Sequence, residues 1–149
     1  MPLKEQLAAD LKDAMRQRDQ RRRDVLRLTL AALHNAEIAA DQELDEAGIL
    51  DVIAKEAKRR RESIEEFGKA GRQDLVEKEE AELAILSAYL PQQASRDEIV
   101  EAARQVIQET GASGPRDLGK VMPVLMQRFR GRADGREVNE IVRELLADS

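Results

Sequence analysis

Residues 50–90 read LDVIAKEAKRRRESIEEFGKAGRQDLVEKEEAELAILSAYL, and their apolar spacing decides the fold. Leu50, Ile53, Ala57, Arg60, Ile64 and Phe67 recur at intervals of three and four, as do Val76, Glu79, Leu83, Leu86 and Leu90. That period sets each group on one face of an α-helix. Each seam holds one charged intruder, Arg60 in the first and Glu79 in the second. Gly68 to Gly71 supplies a turn, with Gly71 suited to the left-handed residue just past a helix end. Folding the hairpin there puts Ile64 opposite Val76, Ala57 opposite Leu83 and Ile53 opposite Leu86. Arg60 then falls opposite Glu79, and the two are expected to form a structural ion pair that neutralises both intruders.

Toward the N-terminus, Leu3, Leu7, Leu11 and Met15 form a helical stripe. Arg16 to Arg23 reads as a polar, mostly basic hinge. A second helix follows with Val25, Leu26, Leu28, Leu30, Leu33 and Ile38, and its wide apolar surface predicts a place at the centre of a bundle. Toward the C-terminus, Pro91 stops the fourth helix. Ser95 and Glu98 form a capping box that opens a fifth helix ending at Gly111. Ser113-Gly114-Pro115 opens a sixth, with Pro123 inside it, expected to bend it near Gly119. Gly131 closes that helix, and Asp134 caps a seventh bearing Val138, Ile141, Val142, Leu145 and Leu146. The expected architecture is all-α: a four-helix N-terminal domain over 1–90, a linker over 91–94 and a three-helix tail domain over 95–149.

Composition agrees with helices. Charged residues make up 37% and aromatics 2% of the 149 residues, whereas strands favour aromatic and β-branched side chains. No apolar run approaches the roughly 20 residues that span a bilayer. The chain has no cysteine, which rules out disulfides and thiolate–zinc sites, and Lys4, Glu5 and Asp10 interrupt any apolar signal core. These features predict a soluble, cytoplasmic protein.

Chemistry-bearing patterns are sparse. His34 is the only histidine and lies in mid-helix in a chain without cysteine, so it reads as structural or exposed rather than as a metal ligand. No serine has a nucleophile-elbow context, and no Gly-rich phosphate cradle follows a strand. Neither catalytic residues, metal nor cofactor is expected.

Net charge is −5, yet Arg116, Lys120, Arg128, Arg130, Arg132 and Arg136 face only Asp117 and Asp134 between residues 116 and 136, a local balance of +4. Local charge, not the net value, decides whether a polyanion can dock. Lys120, Arg128, Arg130, Gly131, Arg132, Gly135 and Arg136 are the candidate RNA-binding residues. The glycines would admit close main-chain approach, and the next helix N-terminus offers N–H groups to an anion. Asp134 competes for those N–H groups as the helix cap.

The stretch Gly119-Lys-Val-Met-Pro-Val-Leu-Met126, with Gly131-Arg-Ala-Asp-Gly135 and Val138-Asn-Glu-Ile-Val142, resembles the tail domain of the B subunit of the aspartyl/glutamyl-tRNA amidotransferase, GatB. The whole chain resembles the YqeY family, which joins that tail to a helical N-terminal domain. Leu86-x-x-Tyr89-Leu-Pro-x-Gln93 matches the family's linker, and Arg59 to Phe67 with Ala70-Gly-Arg72 and Asp74-Leu75 matches its third and fourth helices. The resemblance implies a link to tRNA-dependent amidation, in which the tail helps hold mischarged tRNA. The carbon–nitrogen ligase label with glutamine as amide donor finds no catalytic residues in this chain. The expected partner is tRNA. The alternative is a protein-interaction adaptor for an amidotransferase or another translation component.

Overall fold

The computed structural model describes residues 1–148, and these residues are helical without strands. The helices are α1 (Leu3–Arg16), α2 (Gln20–Ala40), α3 (Glu46–Lys69), α4 (Gln73–Ser87), α5 (Arg96–Thr110), α6 (Leu118–Arg128) and α7 (Gly135–Ala147), with a short 3-10 turn at Pro115–Asp117. They gather into two compact units, Met1–Pro91 and the residues from Gln92 onward.

In the first unit, α3 and α4 form a long antiparallel hairpin, and α1 pairs with α2. The hairpin turn is a Schellman motif: Arg72 N–H donates to the Phe67 carbonyl at 2.9 Å and Gly71 N–H to the Gly68 carbonyl at 3.2 Å. Gly71 sits at φ +71°, where a Cβ would be strained. The core joins Leu7, Val25, Leu26, Leu33, Ile49, Ile53 and Leu86. Across the hairpin, Arg60 Nη1 donates to Glu79 Oε2 at 3.1 Å and also to Glu82. All three side chains are largely buried, and Arg60 Nε has no partner.

One expectation about this unit changes. The basic stretch 16–23 is a hinge only up to Asp19, whose carboxylate accepts from Arg22 N–H and starts α2 at Gln20. Arg22 then reaches back to Asp13 at 2.9 Å and Asp10 at 3.6 Å. Tyr89 O–H donates to the same Asp10, tying the end of the hairpin to α1. As its wide apolar surface predicts, α2 packs against α1, α3 and α4; Val25, Leu26, Thr29 and Leu33 face the core, while Leu28 and Ile38 stand in solvent.

The second unit packs α5, α6 and α7 around Ile99, Ala103, Val106, Val121, Leu125, Phe129, Val138, Ile141, Val142 and Leu146. Ser95 Oγ accepts from Glu98 N–H at 3.1 Å and opens α5. A second Schellman turn closes it at Gly111, φ +67°, and buries Ala112 against the core. α6 runs through Pro123, whose missing N–H leaves the carbonyl of the exposed Gly119 without its helical donor.

Candidate nucleic-acid interface

The candidate site is the bend from α6 to α7. Arg128 ends α6, and the next residue, Phe129, is buried in the core and fixes where the chain leaves the helix. The Phe129 carbonyl accepts from Arg132 N–H at 2.8 Å and Ala133 N–H at 3.2 Å, closing a tight turn. Gly131 sits within it at φ +74°, a conformation that costs a residue with a Cβ about 1–2 kcal/mol. Asp134 then caps α7, its carboxylate accepting from Arg136 N–H at 3.1 Å.

Arg132 is the centre of the bend, and its side chain is engaged by neighbouring groups. Its Nε donates to the Gln92 carbonyl at 2.9 Å, and its Nη2 to Glu98 Oε1 at 2.7 Å. Its guanidinium also lies 5.7 Å from the Phe129 ring centroid, within cation–π range. Two more bonds join the same segments: Ala94 N–H to the Arg132 carbonyl at 2.8 Å, and Gln93 Nε2 to the Gly131 carbonyl at 2.9 Å. The bend is therefore stitched to residues 92–94.

The other candidates separate by environment. Lys120 is exposed and pairs with Asp117 at 3.4 Å, one turn away on the same helix face. Asp117 is held below the usual carboxylate range, first by accepting from Ser113 N–H and then by Lys120. Arg128, Arg130 and Arg136 are exposed. Among the described residues, Arg128 and Arg136 show no carboxylate partner. Arg128 borders a shallow groove whose α5 wall carries Glu98 and Glu101. Gly135 has a packing reason, because a Cβ there would lie 3.3 Å from Met126 Cε.

The two glycines and the α7 N-terminus each have a structural partner or reason of their own. Conformation at Gly131 and packing at Gly135 account for the glycines, and the Asp134 carboxylate already occupies the α7 cap. Gln92, Gln93 and Glu98 as holders of the bend were not found from sequence. Glu98 had a role in the capping box, in which it would turn back toward Ser95, and nothing local marks its pairing with a residue 34 positions away. Among the described residues, no group of three or more His, Asp or Glu is arranged to hold a metal ion. None of their helices is long and apolar enough to cross a membrane.

A family model described as Yqey-like protein matches residues 4–146. The chain is 34% identical over 146 residues to Altered inheritance of mitochondria protein 41, mitochondrial, of Pyrenophora tritici-repentis, covering 94% of this chain and 78% of that protein. It is 42% identical over 113 residues to the protein of the same name from Kluyveromyces lactis, and 40% over 112 residues to that from Lachancea thermotolerans. Each of those two matches spans 73% of this chain and 60% of the relative.

These names overturn the cytoplasmic expectation, because all three relatives are named as mitochondrial. The inference failed for a physical reason. An apolar signal core marks secretion, whereas mitochondrial import reads amphipathic, Arg-rich segments, so lacking the first says nothing about the second. Absence of cysteine likewise does not separate the cytoplasm from an organelle interior. The match runs through both helical units and nearly the whole length, and the chain belongs to the Yqey-like protein family.

Proposed function

We propose that the α6–α7 bend grips the phosphates of a structured RNA, tRNA foremost, and that the chain works as a binding module in tRNA-dependent amidation. The observation that carries this reading is the pair Arg128 and Arg136, exposed on either side of the Gly131 turn without a carboxylate partner among the described residues. Arg136 lies in the first turn of α7, the positive end of the helix dipole. A cation there gives up about 0.3–1 kcal/mol relative to a neutral residue. An anion docked against it relieves that cost. Arg132 holds the turn in place, and Glu98 and Glu101 repel phosphate from the α5 side, so the RNA approaches along the α7 side.

Mobility shifts with tRNA across a salt series test the reading. Each phosphate neutralised contributes about −0.7 to −0.9 to the log–log salt slope. Arg128→Ala with Arg136→Ala flattens the slope by about 1.4 to 1.8. Binding by the double variant that equals the parent's refutes the assignment. A partner recovered by pull-down after nuclease treatment supports the adaptor reading instead, and amidation of misacylated tRNA by the chain alone with glutamine and ATP makes it an enzyme.

A further inference from the structure

The outward side of α2 carries a pattern that the first unit leaves unused. Leu28 is 62% and Ile38 65% exposed, with Ala31 and Asn35 exposed between them. Positions 28, 31, 35 and 38 step by three, four and three, the interval of a helix–helix seam. A single exposed leucine needs no explanation. Here the two large apolar residues stand at the ends of a seam whose flanking charges are self-complementary. Arg27 flanks it beside Leu28, one face over with His34, and Asp41, the left-handed residue just past the end of α2, stands beyond Ile38. Arg27 and Asp41 are exposed. The hydrogen bond from Arg27 Nη2 goes to the Met15 sulfur at 3.5 Å, a weak acceptor. Among the described residues, Asp41 has no cationic partner.

We propose that α2 packs against α2 of a second copy of this chain, antiparallel across a twofold axis. Leu28 covers Ile38 of the second copy and Ala31 covers Asn35 of the second copy, each contact occurring twice as an isologous interface requires. On the flank, Arg27 meets Asp41 of the second copy, again twice, and His34 meets its own counterpart at the axis. A parallel pairing would set Arg27 against Arg27 and Asp41 against Asp41, so charge selects the antiparallel sense. Ala31 lets the backbones approach, and Asn35 weakens the seam while fixing its register. From Leu28 to Ile38 the seam rises only about 15 Å, so the pairing is weak and depends on concentration.

Sedimentation velocity on the full chain, at concentrations rising into the millimolar range, reads the proposal directly. The weight-average mass climbs from 16.8 kDa toward twice that value. Leu28→Glu with Ile38→Glu holds the chain at the monomer mass with helicity unchanged, since both sites lie in solvent. Arg27→Asp weakens association about tenfold, through two lost pairs and two like-charge contacts. Arg27→Asp combined with Asp41→Arg brings it back to within about threefold of the parent. Three results overturn the proposal: a monomer at every concentration, which leaves the face to a different protein; a dimer that survives Leu28→Glu with Ile38→Glu; or a charge-swapped variant no stronger than Arg27→Asp.

Discussion

Arg60→Met removes a guanidinium from between two carboxylates and keeps most of the side chain's apolar stem. The Arg60, Glu79 and Glu82 side chains are 14%, 16% and 13% exposed, so solvent does little to screen what remains. Glu79 and Glu82 sit one turn apart on α4, and without Arg60 they are two like charges facing a packed hairpin. Removing one partner of a buried pair costs about 3–5 kcal/mol. The lower end applies, because the parent already carries an unpartnered Arg60 Nε and is not ideally satisfied. A loss of about 3 kcal/mol, at a urea slope of about 1–3 kcal/mol per M, lowers the unfolding midpoint by about 1–3 M. Tyr89 is the only tyrosine in a chain without tryptophan, and it lies in the first unit, so its emission follows that unit alone. Arg60→Met with Glu79→Leu and Glu82→Leu recovers most of the loss, since an apolar cluster of similar volume is often as stable as a buried ion pair. If Arg60→Met unfolds within about 0.5 kcal/mol of the parent, the three groups behave as a solvated surface pair and the reasoning is wrong.

Other consequences follow from the same contacts. Burial, and then the bond to Asp10, push the Tyr89 phenol above its ordinary value of 10.0, so its tyrosinate absorbance appears at higher pH than that of free tyrosine. The unfolded chain releases that proton first, so stability falls as pH rises above about 10, and Tyr89→Phe removes this part of the slope. Arg132→Ala lowers the melting temperature of the second unit and speeds amide exchange at Ala94, whereas Arg128→Ala leaves both unchanged and Arg136→Ala, which removes a cation from the first turn of α7, slightly raises the melting temperature; Arg132→Ala melting with the parent would contradict the bracing contacts of Arg132. Gly111→Ala forces a Cβ into φ +67° with open space around it, so the cost is purely conformational, about 1–2 kcal/mol in a circular dichroism melt.

The helices were legible wherever one face is buried and the ends are capped by nearby residues. The α3–α4 seams, the Ser95 and Asp134 caps and the Gly71 turn each rest on residues within a few positions of one another, and local spacing carries that information. The central place of α2 was legible, but the exposure of Leu28 and Ile38 was not, because apolar residues on both sides of a helix look the same in sequence whether or not both sides are covered. Leu28 and Leu33 differ only in which neighbours arrive from elsewhere in the chain. Glu82 was missed beside Glu79 because the seam pattern assigned one intruder per helix, while a forked guanidinium can serve two acceptors.

The candidate site shows the same division more sharply. Arg128, Arg132 and Arg136 recur every four residues, and nothing in their local setting separates them. The fold does. Arg132 lies where the bend meets residues 92–94 and the start of α5, so its charge is consumed by Glu98 and its donors by the main chain. Arg128 and Arg136 lie at the helix ends on either side, and among the described residues neither is ion-paired with a carboxylate. A cluster of arginines in an acidic protein is therefore two things at once, a brace and a pair of open cations. An arginine braced in this way should tolerate no change of shape, while the exposed pair should tolerate lysine, which keeps the charge that the proposed phosphate contact needs and loses only the fork.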